Sequence, residues 1–354
     1  VAAPLVSIIV PCFNAGPMLA PALRSIIEQT YPSIEIVFVD NGSTDDSLEA
    51  ARQILQTQAR PFEISPCPDR GANHARNWGY RLARGDYIQW VDADDRLDAD
   101  KIARQVEALE GNPDRAIAYG DWTAHRIEPG KPRADERHDL RQVEDQVHRT
   151  LAGIWYPPHL YLLRRAIAEE LQEARAWWPG RPVATDVEYS AIAALRGARF
   201  LYVAGAHVHY NIWSSGQISG GTPYRARAAA LEAIFKRLRE FVDSGQAGVA
   251  LTRRHRILLD QNWRIWKMPP GSAVVEKLPG RRFRLKNARS GKAIEVRPRE
   301  AAIATALMAG PAALTTCHLA LMLTESPGAV ADDPAIVVET LERFQREGFM
   351  EAIA

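Results

Sequence analysis

The stretch Gly85-Asp86-Tyr87-Ile88-Gln89-Trp90-Val91-Asp92-Ala93-Asp94-Asp95 decides the fold of this chain. Tyr87, Ile88, Trp90 and Val91 suit a buried or half-buried pleated surface, so the segment begins as a strand. It ends in three carboxylates within four residues. Such a strand cannot carry those charges into a core. It must emerge at the C-terminal edge of an open α/β sheet, where ligands of such sheets bind. Crowded carboxylates repel one another unless a cation or a donor sits among them. Hard oxygen ligands suit Mg²⁺ or Mn²⁺, ions commonly shared between one or two carboxylates and a diphosphate. On this segment alone, a solvated acidic turn leading into a helix at 101–109 is an equal alternative.

Working outward toward the N-terminus, Leu5-Val6-Ser7-Ile8-Ile9-Val10 is a β-branched apolar run, expected of a parallel strand buried on both faces. Pro11 to Pro17 stops it, and Leu19, Leu23, Ile26 and Ile27 then follow at helical spacing up to Tyr31-Pro32. A second strand, 34–39, runs into Asp40-Asn41-Gly42-Ser43-Thr44-Asp45, where Ser43 or Asp45 can cap a helix over 47–58. A short strand at 62–64 and a helix over 71–82, which Gly85 ends, complete a β-α-β-α-β-α-β order. This is a nucleotide-binding half of a doubly wound sheet.

Beyond the acidic cluster come a strand at 117–119, a strand at 159–163 and a helix over 164–173. Residues 125–145 are highly charged with few apolar anchors and read as a mobile surface excursion. Trp177-Trp178-Pro179-Gly180 is an aromatic turn, Thr185-Asp186-Val187-Glu188-Tyr189 opens a helix, and 200–210 is the domain's last strand. The pattern predicts an α/β domain over 1–222, a helical extension over 223–268, a linker at 269–280 and a small α-rich domain over 281–354. The last begins with a basic hairpin, 281–286 and 292–297 about Ser290-Gly291, followed by helices near 299–309, 314–323 and 334–347.

Composition narrows the class. A formal net charge of +1 over 354 residues argues against a global field for nucleic acid or membranes, and no apolar run approaches a transmembrane helix. The start lacks the basic and apolar regions of a signal peptide. The three cysteines Cys12, Cys67 and Cys317 are widely separated, which indicates neither a disulfide framework nor a zinc site and is consistent with a cytoplasmic protein.

Four blocks carry a resemblance: Val6-Ser7-Ile8-Ile9-Val10-Pro11-Cys12-Phe13-Asn14, then Ile36 to Asp45, then Ala75-Arg76-Asn77-Trp78-Gly79, then Gly85 to Asp95. In this order and spacing they resemble the family 2 glycosyltransferases, the inverting enzymes of GT-A fold, with a weaker match continuing to about residue 220. The resemblance implies a Rossmann-like, mostly parallel sheet with flanking helices. It also implies a nucleotide diphosphate sugar, UDP-linked, as donor, with Mn²⁺ or Mg²⁺ as cofactor. Pro11 and Phe13 would face the nucleoside and Asp40 the uracil imide. Arg76 would approach the nucleotide or pin the acidic loop, and Arg70 would meet the diphosphate. Asp92, with Ala93 beside it, would approach the ribose, Asp94 would hold the metal, and Asp95 is expected to cap the following helix.

Inverting transfer needs a base for the acceptor hydroxyl, a cation for the leaving diphosphate, and both in line with the anomeric carbon. In the family the base is the Asp of an acidic pair opening a helix, which falls here on Asp186, with Glu188 as runner-up; Thr185 stands where the family usually has Glu. A helix-start Asp that merely complements the macrodipole would look the same in sequence. The family's following Tyr-Arg-x-His reads Tyr210-Asn211-Ile212-Trp213, so His207 and His209 are weak substitutes as metal ligands. Trp178 and Trp213 are assigned to the acceptor side, with Trp155, Tyr156 and Trp177 as further platforms for sugar stacking. The tail over 281–354 resembles a winged helix, which would recruit a peptide or protein acceptor; a glycan or small-molecule acceptor, and a homodimer, are also compatible. Two other readings stand beside the enzyme: an inactive GT-A sugar-nucleotide-binding scaffold, and a winged-helix DNA-binding regulator with a GT-A sensor domain, although nucleic acid is the less expected partner.

Overall fold

The computed structural model describes residues 3–128, 130–152, 154–180, 185–213, 224–261, 265–267, 273–278, 282–288, 290–309, 314–315, 334–347, 349 and 351–353. They fall into two compact units, one of 1–146 and 155–227, the other of 147–154 and 228–354.

In the first unit, β1 (Val6–Cys12), α1 (Leu19–Ile27), β2 (Ile34–Asp40), α2 (Ser47–Gln56), β3 (Phe62–Pro66), α3 (Ala72–Leu82) and β4 (Tyr87–Trp90) alternate in the expected order. Every residue of β1, β2 and β4 is buried, as their apolar runs require. Then come β5 (Arg96–Leu97), α4 (Lys101–Glu110), β6 (Ile117–Ile127), β7 (Ala134–His138), α5 (Gln146–Leu151), β8 (Leu162–Arg164), α6 (Arg165–Glu173), α7 (Thr185–Leu195) and β9 (Phe200–Trp213). The second unit takes α5 from Val147 onward. The sheet runs β3-β2-β1-β4-β8-β6-β9-β5, with β7 on β6. It is parallel from β3 to β4 and between β6 and β9, and antiparallel where β8, β7 and β5 join.

One buried carboxylate ties the parallel half together. Glu35, 3% exposed on β2, accepts from Ser7 Oγ at 2.6 Å, from the Arg84 backbone N–H at 2.6 Å and from the Arg84 guanidinium at 2.7 Å. Burial alone would push its carboxyl up, but these donors outweigh it and hold the group below the usual range.

Several expectations are corrected. Residues 125–145 are not simply an excursion, because β6 runs on to Ile127 and β7 pairs with it from Trp122↔His138 to Arg126↔Ala134. The exposed, charge-rich β7 hides the alternation that would have betrayed a hairpin. Gly85 does not end a helix: α3 stops at Leu82, and a Cβ at Gly85 would sit 2.5 Å from Ser7 N and 2.7 Å from Leu5 O. It is glycine because the entry to β4 lies against β1. The strand expected at 159–163 is a 3₁₀ turn over Pro158–Leu160 followed by β8.

The second unit contains α8 (Tyr224–Asp243) from Ala228 onward, α9 (Arg253–Gln261), β10 (Ile265–Lys267), β11 (Ala273–Leu278), β12 (Arg282–Asn287), β13 (Ala293–Val296), α10 (Pro298–Ala309), β14 (Leu314–Thr315), α11 (Pro334–Arg346) and β15 (Glu351–Ile353). The basic hairpin is present as β12 and β13, but β11 adds a third strand inside the stretch read as a linker. Leu285, Val296, Ile303, Val337, Leu341 and Phe344 form the core between this sheet and its helices. Residues 265–267 are strand rather than the end of a helix, and Leu314–Thr315, expected to start a helix, pairs with β10; 316–323 lie outside the described residues. Among the described residues no helix is long and apolar enough to cross a membrane.

Candidate active site

The parallel register brings the ends of β1, β2 and β4 to one edge: Cys12 is level with Asp40, and Val91 N–H donates to Ile9 O at 3.0 Å. The loops after β1 and β2 are laced together. Asn14 Oδ1 accepts from the Thr44 N–H at 2.7 Å, and the Asn14 N–H donates to Ser43 Oγ at 3.1 Å. Asp40, 5% exposed, accepts the Gly42 and Ser43 N–H groups at 3.1 Å each, the Asx turn its sequence allows. Pro11 is buried, but Phe13 is 53% exposed, so its ring is not part of the core. The Arg70 guanidinium lies 5.5 Å from the Phe13 ring centroid and donates to Gly42 O at 2.8 Å, placing Arg70 with the Phe13 loop.

Arg76 projects from α3 into the acidic loop. Only 8% exposed, it donates to Asp92 Oδ1 at 2.7 Å and to Asn73 Oδ1 at 3.0 Å, and lies 4.6 Å from the Trp177 ring centroid. Trp177 in turn stacks on Tyr189 of α7, centroids 4.2 Å apart, with Trp90 edge-on to both. Asn73 Nδ2 donates to Trp178 O, Asn77 Nδ2 donates to Trp177 O, and Thr185 Oγ1 reaches Asn73 Oδ1 at 3.3 Å. Thr185, where the family's acid would stand, is thus part of the frame that fixes the N-terminus of α7. Trp177 and Tyr156 are buried and serve packing; Trp155, Trp178 and Trp213 are half-buried. Residues 214–216, which follow Trp213, lie outside the described residues.

Asp186 sits in the first turn of α7, within the electrostatic reach of Arg76 and Asp92. Burial pushes its carboxyl up to about 6, the Arg76 guanidinium and the helix N–H groups of Asp186 and Val187 oppose that, and Asp92 adds to it. The residue as a whole is half-buried, and its carboxyl is perturbed in the way expected of functional acids. Glu188 is 0% exposed, which leaves Asp186 the better placed of the two acids.

The acidic loop is held from behind. Asn211 of β9 donates its side-chain amide to Asp94 O and its backbone N–H to Asp95 Oδ1, the latter at 2.8 Å. Asp95 is therefore not a helix cap: it is 1% exposed, α4 starts six residues later, and burial first, then Asp94 and Asp92, push its carboxyl well above the usual range. Its other oxygen lies 3.3 Å from Nδ1 of His159, a ring that burial holds neutral, down to about 3. Beneath them the fully buried Lys101 donates to Gln89 Oε1, and Gln89 Nε2 donates to His159 O at 2.9 Å. Without a carboxylate beside it, the Lys101 amine is pushed well below its usual value by burial.

Asn73, Asn77, His159 and Asn211 are site residues that the sequence motifs do not single out. Each acts through contacts between segments 70 to 117 residues apart. His207 and His209 face one side of β9 as predicted, but are engaged with Thr123 and with Asp98 and His125 respectively.

Among the described residues no three His, Cys, Asp or Glu side chains form a ready-made metal group. The donor set nevertheless suits a hard cation shared with substrate: Asp92 is balanced by Arg76, and Asp94 is the second oxygen donor of the loop.

Comparisons with known proteins bear on the fold and the family. The chain is 38% identical over 173 residues to the uncharacterized glycosyltransferase EpsJ of Bacillus subtilis, covering 47% of this chain and 49% of EpsJ. It is 40% identical over 118 residues to the glycosyltransferase GlyG of Streptococcus pneumoniae, covering 33% of this chain and 39% of GlyG. The chain thus spans about half or less of these relatives. In fold, it matches crystal structures of S. aureus TarS 1-349 in complex with UDP-GlcNAc and with UDP, at TM-scores of 0.56 and 0.53 and 16% identity, covering 72% of this chain and 70% and 69% of those chains. Residues 7–172 match the glycosyl transferase family 2. The α/β unit built on the acidic loop accordingly carries a glycosyl transferase family 2 domain.

Proposed function

We propose that this chain transfers a sugar, with inversion, from a nucleoside diphosphate sugar to an acceptor hydroxyl. The observation that carries the reading is the convergence of Asp92 and Asp186 on Arg76, beside Asp94 of the same acidic loop, at the sheet edge that also carries Asp40 and the exposed Phe13. Phe13 offers its exposed ring to the base, and Arg70 beside it adds positive charge. Asp92 is held rigid by Arg76 and is suited to the ribose hydroxyls. Asp94, whose backbone Asn211 fixes, is the residue that would hold a Mg²⁺ or Mn²⁺ ion together with the diphosphate oxygens. Such an ion, when bound, stabilises the charge on the departing diphosphate. Asp186 takes the proton of the acceptor hydroxyl as its oxygen bonds to the anomeric carbon from the face opposite the leaving group. The bond from that carbon to the phosphate oxygen breaks, and the nucleoside diphosphate leaves.

The UDP and UDP-GlcNAc of the TarS complexes make uridine compounds the first ligands to try. Melting the full chain with UDP and Mn²⁺ tests the reading. A shift of about 3–6 °C at saturating ligand is expected, absent in Asp94→Asn. No shift with any nucleoside diphosphate or its sugars, with either metal, would overturn it.

A further inference from the structure

Four side chains form a hydrogen-bonded line along the sheet, on the face of β9 opposite Tyr210. Asp98 Oδ1, just after β5, lies 2.9 Å from His209 Nε2 on β9. His209 Nδ1 lies 2.9 Å from His125 Nε2 on β6, and His125 Nδ1 lies 2.7 Å from Asp135 Oδ1 on β7. The two rings are nearly parallel, 17° apart.

Each of the three gaps needs one proton. Two neutral imidazoles bring one N–H each, so two protons must serve three gaps. Whichever tautomers are chosen, one ring lone pair is left facing the other ring's lone pair or a carboxylate oxygen. We propose that the line binds one proton beyond the neutral count, making His125 an imidazolium between Asp135 and a neutral His209, and that this proton latches the β7 hairpin to the sheet.

The surroundings favour His125 as the charged ring. Burial pulls the His209 imidazole down, with Asp98 opposing and Arg96 and His125 adding to the fall. The Asp135 carboxyl is held below its usual range, first by its hydrogen bond with His125 and then by Arg133, whose Nε lies 2.8 Å from Oδ1. On the remaining side His207, paired with Thr123 Oγ1 at 2.9 Å, faces Asp121 and Arg137, whose charges oppose each other. The latch also supplies what the composition of this hairpin lacks, since β7 carries no large apolar side chain to anchor it.

Carboxylates on the outer nitrogens of two facing imidazoles also occur around metal ions. Here the facing nitrogens are 2.9 Å apart, whereas an ion about 2.0–2.1 Å from each at a tetrahedral angle would separate them by about 3.3 Å. Together with the lack of a third ligand in reach among the described residues, this assigns the gap to a proton.

The test is ¹⁵N NMR of the histidine rings and amide hydrogen exchange on the full chain with EDTA, from about pH 5 to about pH 9. His125 and His209 are expected to titrate as one coupled pair. As the pair loses its shared proton with rising pH, protection of amides 134–138 should fall about tenfold while β1 amides are unchanged. In Asp135→Asn the side-chain amide can donate to Nδ1 of a neutral His125, so the line closes with two neutral rings and protection should persist across the range. Independent titration without a hairpin response, an Asp135→Asn hairpin that loosens as the wild type does, or protection abolished by EDTA and restored by Zn²⁺, would each overturn the proposal.

Discussion

Asp186 carries the sharpest expectations at the level of single residues. Replacing it with Asn removes the proposed base without changing shape, so transfer should fall by about 10²–10⁴-fold while UDP affinity stays within about twofold, read by a transfer assay beside calorimetry. Equal loss of both would assign Asp186 to binding. Because its carboxyl is pushed up to about 6, transfer by the wild type should decline as the pH drops through that value rather than near the ordinary carboxylate range. The stability sign is opposite. A raised folded-state value means that the folded chain holds this proton more tightly than the unfolded chain, so its contribution is full at low pH and is lost as the pH rises through about 6. Asp186→Asn should therefore melt no lower than the wild type at about pH 8, and a clear drop there would contradict the desolvation argument. The base candidate and the acidic loop were legible because helix-start and strand-end positions are local properties. That Arg76 would pair with Asp92 and lie over Trp177 was not, because three separate segments must first meet.

At the level of elements, the pairing of β6 with β9 sets the phase of the site. Tyr119 faces Tyr202, but Asp121 faces His207, so β9 spends three extra residues in a bulge. An odd number of extra residues reverses which face each later side chain takes. That phase puts His209 opposite Thr123, and leaves Asn211 on β9 to hold Asp94 and Asp95. A period-two reading of 200–210 has no means of detecting the bulge. Gly120 permits it: a Cβ there would lie 1.8 Å from Ala206 O. Gly120→Ala should destabilise the chain by about 2–3 kcal/mol in urea unfolding, since backbone rather than a flexible side chain must give way. A change below about 0.5 kcal/mol would mean that the bulge relaxes freely.

On the scale of the whole molecule, charge that looks concentrated in the sequence is dispersed by folding. Residues 281–299 read as a basic patch, yet in the second unit Arg284 lies between Glu276 and Glu295 on neighbouring strands, and Lys292 pairs with Glu347 at 2.7 Å. Two of the basic side chains are thus countered by acids of the same unit, and the chain as a whole carries a formal net charge of only +1. The full chain should bind duplex DNA more weakly than about 10⁻⁵ M at physiological salt, with a log K against log salt slope shallower than about −3, measured by fluorescence anisotropy. Tight binding with a steep slope would revive the regulator reading.

The sequence by itself determined the order of strands and helices through β4, the acidic loop at its end, and the family resemblance, because burial runs, turn residues and short motifs act over a few neighbours. Only the tertiary structure decided that Asp95 faces inward, that β11 joins the hairpin where a linker was expected, and that His209 meets His125. Those outcomes depend on register and on partners far apart in the chain. What the opening stretch becomes, a loop braced by Arg76 in front and Asn211 behind, is fixed by residues that lie outside it.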